Sequence, residues 1–103
     1  KFHKGIDFAA PEGEPVFACK SGTVSVCIRD NAVFGNYIVI NHGGGMTSTY
    51  AHLSQIKVKK GDFINGGTVI GNVGKTGAAT GSHLHFEIRL NGTAQDPAKL
   101  LPL

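Results

Sequence analysis

Five histidines and seven acidic residues carry the acid-base and metal-ligating capacity of this chain, and their spacing sorts them. In extended chain, residues two apart project to one side, so His83 and His85 of the run His83-Leu84-His85 share a face. That face continues through Glu87 and Arg89 and is expected to be an open, polar surface, while Leu84, Phe86, Ile88 and Leu90 form an unbroken apolar stripe behind it. Two adjacent imidazoles suit a bound metal or a paired acid-base role. A second group is His3-Lys4-Gly5-Ile6-Asp7. Extended backbone would hold His3 and Asp7 about 13 Å apart, too far to share an ion, so the chain must bend between them. Gly5 supplies the dihedral freedom for that bend. Zinc takes histidine and carboxylate ligands, and a catalytic site uses three of them and keeps a fourth position for water. His3, Asp7 and one of His83 or His85 meet that count, and spacing leaves open which of the two it is. His52 ends a strand that alternates Met46, Ser48, Tyr50 and His52 on one side, and it gains chemical meaning only beside the other histidines. His42, next to Gly43-Gly44-Gly45, is expected to serve its turn and no chemistry.

The elements that must position these groups read as strands. Val16 to Cys19 and Thr23 to Ile28 are expected to form a hairpin about Lys20-Ser21-Gly22, and Asn36 to Asn41 and Met46 to His52 a second about His42 to Gly45. Glycines from Gly61 to Gly81 divide the following stretch into pieces too short for an ordinary helix. Ser82 to Leu90 is the last long strand, closed by the tight-turn pair Asn91-Gly92. Asp96 and Pro97 are suited to start a single helical turn over Ala98 to Leu101. The expected class is all-β, with compact antiparallel sheets in a sandwich or barrel-like hybrid.

At 103 residues the chain has room for one domain, 1–103, and one hydrophobic core. A charged fraction of 17% is too low for a disordered, charge-solvated chain. No apolar run approaches the roughly 18 residues of a membrane span. The net charge of +3 comes without the basic-aromatic pattern of a nucleic-acid module, so no nucleic-acid partner is expected. Cys19 and Cys27 fall on different faces of a hairpin with a two-residue turn, or about 13 Å apart along one face with a three-residue turn. Bridged Cα atoms lie within about 7 Å, so both cysteines are expected to be free, small, buried apolar residues. Nothing before His3 has the pattern of a signal peptide, and an opening at Lys1-Phe2 is what a piece of a longer protein would show.

The chain resembles the M23 peptidases, zinc endopeptidases of the lysostaphin or LytM type. The matching segments are His3-x-x-x-Asp7, Tyr50-Ala51-His52-Leu53, Gly71-x-Val73-Gly74-x-Thr76-Gly77-x-x-Thr80-Gly81, His83-Leu84-His85-Phe86-Glu87 and Asp96-Pro97, in the family's order. The resemblance implies a narrow substrate groove with Zn²⁺ at its floor, held by His3, Asp7 and His85. It assigns His52 and His83 to the unliganded, catalytic pair that orients and deprotonates water. The implied partner is a peptidoglycan peptide, at glycyl-glycine bridges or D-alanyl bonds, and the implied location is the exterior or envelope of a bacterium, at its periplasm or cell surface. Flanking domains or a cell-wall partner are expected. The family usually has a strand and loop ahead of its first zinc histidine, where this chain has Lys1 and Phe2. Two other readings compete. A non-catalytic scaffold or activator of the same fold would have lost ligands or the paired histidines, and this chain keeps them all. A lipoyl-type carrier or phosphotransfer domain is suggested by the glycine turns of Val58 to Gly74, but neither use explains Asp7 after His3.

Overall fold

The computed structural model describes residues 5–96. Among these residues nine strands follow one another: β1 Ile6–Ala9, β2 Pro15–Phe17, β3 Gly22–Asn31, β4 Gly35–Gly43, β5 Met46–Ile56, β6 Phe63–Ile64, β7 Val69–Val73, β8 His83–Leu90 and β9 Thr93–Gln95. Among the described residues there is no helix, and the expected all-β class is what forms. The His3 position and the helical turn expected at Pro97 to Leu101 lie outside the described residues.

All pairings are antiparallel, and the strands join into one continuous sheet in the order β1-β8-β5-β4-β3-β6, with β9 on β8 and the β2–β7 pair attached through β5. Strand β5 is the branch point. One edge pairs with β4, while the other is shared, Met46 to Ala51 with β8 and Leu53 to Ile56 with β7. Two tight turns form where the glycines predict them. Gly44 and Gly45, at φ 60° and 83°, join β4 to β5, and Asn91 and Gly92, at 52° and 82°, join β8 to β9. Two successive positive φ values give the turn whose twist matches that of the strands it joins.

The first expected hairpin does not form. β2 pairs with β7, through Val16 opposite Gly71, and β3 pairs with β4 along most of its length and with β6 at its start. Three residues of β2 cannot compete for β3 with the nine-residue β4, whose alternating Ile38 and Ile40 meet Cys27 and Val24 across the ladder. Both cysteines are free as expected, but each is half-buried rather than buried.

The core collects Val24, Ile38, Ile40, Tyr50, Leu53, Ile70, Phe86 and Ile88. Full burial of each such aliphatic or aromatic side chain contributes about 1.5–3 kcal/mol. Tyr50 brings a hydroxyl into this core, and it is satisfied there by the Cys19 amide, which donates to it at 3.0 Å, and by Ser48 Oγ at 2.8 Å. Burial pushes the Tyr50 phenol well above its ordinary pKa. His42 does more than serve its turn: its ring lies between Ser48 Oγ at 2.7 Å and the Ser21 carbonyl at 2.9 Å, tying β5 to the segment ahead of β3.

Candidate active site

Strand β8 presents His83 and His85 on one face, and β1 lies beside it with Asp7 directly opposite His85. Asp7 Oδ1 is 2.7 Å from His85 Nδ1 and 3.6 Å from His83 Nε2. The close approach of the two strands depends on Gly5, where a Cβ would come within 2.7 Å of Glu87 Cγ and collide with the Phe86 carbonyl. Glycine at this position is therefore required for proximity to β8.

His52 reaches the same place by leaving its strand pattern. The expected alternation would put it on the Tyr50 side, facing the core with Phe86. Instead its φ is +64°, a left-handed conformation uncommon for a side chain with a Cβ. The residue stands where β5 exchanges one partner for another, between Ala51 opposite His85 and Leu53 opposite Val73. On the β4 edge the register also shifts here, from Ile38 opposite Tyr50 to Asn36 opposite Leu53. The result is a bulge, a device that re-aims a side chain. Its ring centroid lies 4.8 Å from that of His83 and 6.1 Å from that of His85. Such a backbone conformation costs about 1–3 kcal/mol and needs surrounding bonds to hold it. The His52 amide donates to the Phe34 carbonyl at 2.8 Å, and ring Nδ1 donates to the Thr76 carbonyl at 2.7 Å. Thr76 is in turn fixed by its hydroxyl, which donates to the Leu53 carbonyl at 2.8 Å and accepts from the Asn36 amide at 3.1 Å.

Because a carbonyl can only accept, these contacts set the ring protons. His52 carries its proton on Nδ1, as does His83, which donates to the Gly81 carbonyl at 2.9 Å. Each ring therefore keeps an Nε2 lone pair. Burial is the main cause that lowers the His52 pKa, and the neighbouring His83 and His85 charges add to it, against the Thr76 carbonyl. His85 moves the other way. The hydrogen bond to Glu87 raises its pKa most, and Asp7 adds to that against burial.

The face of β8 is not the open polar surface expected from alternation. Glu87 is 2% exposed, with Oε2 2.8 Å from His85 Nε2 and Oε1 3.1 Å from Arg89 Nε. Burial alone would raise the Glu87 carboxyl, yet the bonds from His85 and Arg89 outweigh it and hold the pKa below its ordinary value. Glu87 was legible as a same-face neighbour of His85, but its burial was not. Phe34, stacked on His85 at a centroid distance of 5.8 Å, and the Thr76 carbonyl are further parts of the site that residue types did not single out.

Asp7, His52, His83 and His85 floor a cleft of about 350 Å³. One wall is Val33 and Phe34 from the β3–β4 turn, the other Ala78, Ala79 and Thr80 from the loop before β8. The Ala78 amide donates to the Val33 carbonyl at 2.9 Å and ties the walls together. A larger apolar hollow, about 470 Å³ and lined by Phe8, Val16, Phe17, Leu84 and Phe86, contains none of the site histidines.

Among the described residues no three His, Cys, Asp or Glu side chains are arranged as a metal-binding group. The pair that is described has the right chemistry for part of one. If His85 keeps its proton on Nε2 and donates that N–H to Glu87, a neutral ring turns a lone pair at Nδ1 toward a carboxylate oxygen 2.7 Å away. Two electron-pair donors at that separation need a cation between them, a proton or a metal ion, and nitrogen with carboxylate oxygen is a donor set that zinc accepts.

Fold and site together have the character of a peptidase domain, and comparison with known proteins agrees. The chain belongs to Peptidase family M23, whose profile matches residues 1–97. It is 43% identical over 100 residues to the DD-carboxypeptidase/endopeptidase Mpg of Neisseria meningitidis, covering 97% of this chain and 23% of that protein. Among solved structures, the catalytic domain of the antimicrobial peptidase lysostaphin from Staphylococcus simulans superposes with a TM-score of 0.89 at 39% identity, covering 98% of this chain and 80% of that one. A zinc containing peptidase from Vibrio cholerae superposes with a TM-score of 0.85 at 41% identity, covering 88% of this chain and 28% of that one. The chain thus spans less than a quarter of the length of the curated relative described here.

Proposed function

We propose that this chain is the single catalytic domain, residues 1–103, of a longer zinc-dependent endopeptidase that hydrolyses peptide bonds in the cross-links or stem peptides of peptidoglycan, at the bacterial envelope or cell surface. The observation that carries the reading is the convergence of His52, His83, His85 and Asp7, drawn from three strands, on the floor of one cleft. The bulge and left-handed dihedral at His52 turn its ring from the core side of the strand toward His83 and His85, and the Thr76 carbonyl fixes its tautomer there.

In this reading His3, Asp7 and His85 hold the ion. Zinc, when bound, supplies positive charge that acidifies water to a pKa of about 7 and polarises a peptide carbonyl. His52 is the better general base of the unliganded pair. Its Nδ1 proton is committed to Thr76, so Nε2 is free to accept a proton, and burial keeps the ring neutral near pH 7. His83, held by Gly81, presents its Nε2 beside Asp7, and a proton received at that nitrogen makes it a donor to charge that develops on the reacting carbonyl. The alanine-rich wall and the Val33–Phe34 wall suit a substrate with small side chains. The name of Mpg as a DD-carboxypeptidase/endopeptidase and the zinc in the Vibrio cholerae structure support the substrate and the metal.

The test is metal content beside turnover. Asp7→Ala and His85→Ala should lose both zinc and hydrolysis, whereas His52→Ala should keep one zinc per chain and lose hydrolysis. A His52→Ala variant that turns over at the parent rate refutes the assignment of the base.

A further inference from the structure

His85 stands between two carboxylates of very different exposure. Asp7, toward Nδ1, has a side chain 63% exposed, and Glu87, toward Nε2, has one 2% exposed. A neutral imidazole has one proton to divide between them. Withholding it from Asp7 costs little, because water takes its place. Withholding it from Glu87 leaves a buried carboxylate oxygen without a donor, which costs the desolvation of a charged group. We propose that Glu87 is a positioning residue that sets the tautomer of His85, keeping the ring proton on Nε2 so that the Nδ1 lone pair faces Asp7 and the cleft. The inference rests on the zinc reading above, in which that lone pair is the one a metal would use.

Arg89 makes the arrangement one-directional. Its Nε and Nη2 lie 3.1 and 3.0 Å from Glu87 Oε1, and its Nη1 donates to the Gly92 carbonyl of the β8–β9 turn at 3.2 Å. The two oxygens of Glu87 are therefore divided, Oε1 to the guanidinium and Oε2 to His85. A carboxylate serves both neighbours because both of its ends accept. Glutamine has the same shape but only one accepting end. Beside a permanent guanidinium, the amide oxygen must turn to Arg89, since the reverse sets NH₂ against guanidinium N–H. The amide NH₂ then faces His85 Nε2, which has to accept, and the ring proton moves to Nδ1.

Ring ¹⁵N spectra of His85 in the metal-free protein, at an alkaline pH where the imidazole is neutral, read the tautomer directly. Zn²⁺ affinity is measured in parallel by competition with a chromogenic chelator. The parent should show an Nε2–H ring. Glu87→Gln should show Nδ1–H and bind zinc about 10–100-fold more weakly, the usual cost of losing such an outer partner. In Glu87→Gln/Arg89→Met the amide is free to turn its oxygen to His85, so Nε2–H and most of the affinity should return. Arg89→Met alone should keep Nε2–H. An unchanged tautomer in Glu87→Gln, even with a lowered melting temperature, or a double variant that binds zinc no better than Glu87→Gln, overturns the proposal. Should Glu87→Gln fail to fold, Arg89→Met decides, because a proton displaced to Nδ1 there means that Glu87 was not holding it. A parent that binds no zinc refutes the proposed function, while the metal-free spectra still decide the tautomer.

Discussion

Replacing Gly35 by alanine tests whether the loops around His52 are locked as tightly as the structure has them. Gly35 has φ +64°, and a Cβ there would run into Thr76 Oγ1 and its carbonyl carbon and come within 2.6 Å of the Gly77 nitrogen. Gly44, in the β4–β5 turn, has nearly the same φ, +60°, with nothing within 4 Å of its Cβ position. The left-handed conformation costs an alanine about 1–2 kcal/mol at either site, so that part cancels in the comparison. Overpacking adds about 1–3 kcal/mol at Gly35 alone. Gly44→Ala should therefore lose about 1–2 kcal/mol and Gly35→Ala about 2–5 kcal/mol in urea unfolding. For a domain of this size each kcal/mol lowers the melting temperature by about 4–8 °C. Thr76 must move to admit the methyl, and its carbonyl holds His52 Nδ1 at 2.7 Å. Gly35→Ala should thus also lose activity at least about tenfold at temperatures where it is fully folded, as misplacement of a catalytic group does, while Gly44→Ala keeps the parent's. Equal destabilisation of the two variants, within about 0.5 kcal/mol, would refute the packed contact between the Gly35 turn and Thr76.

The pKa directions give two pH profiles of opposite sense. Burial and the neighbouring imidazoles hold His52 below 6.5, so its ring, followed by NMR in the metal-free protein, should titrate with a midpoint below that value, and a midpoint above it contradicts the environment that keeps the base neutral. The bond to Glu87 raises His85 above 6.5, so protons compete for the ring already above that pH, and zinc affinity measured by chelator competition should begin to weaken there on acidification. Affinity that holds constant down to 6.5 contradicts this. In the core, Ile88 is fully buried and Ile88→Ala should cost about 2–5 kcal/mol in urea unfolding, whereas half-buried Leu84, at the rim of the apolar hollow, should cost less than about 2 kcal/mol. Equal costs would contradict the way β8 is covered.

What could be read from residue types was whatever depends on local periodicity. The shared face of His83 and His85 follows from the two-residue repeat of a strand, and the turns at Gly44-Gly45 and Asn91-Gly92 follow from the conformations those residues adopt cheaply. The partner of β2 was not legible, because Val16 opposite Gly71 is a contact across more than half the chain. Alternation identified the face of Glu87 but says nothing about what covers that face, and Gly5 packed on its side chain is a fact of tertiary structure. His52 is the clearest case. Its positive φ is one that a histidine does not advertise, and the strand pattern assigned it to the wrong side. The same bulge that defeats the pattern delivers its ring to His83 and His85.

The central claim is tested most directly by mass spectrometry of fragments released from purified peptidoglycan by the zinc-loaded protein, with His52→Ala alongside. New peptide termini that appear with the parent and are absent with the variant are the predicted result, and their masses identify the bond. No release from walls of several cross-link types, by a protein that holds one zinc per chain, would contradict it.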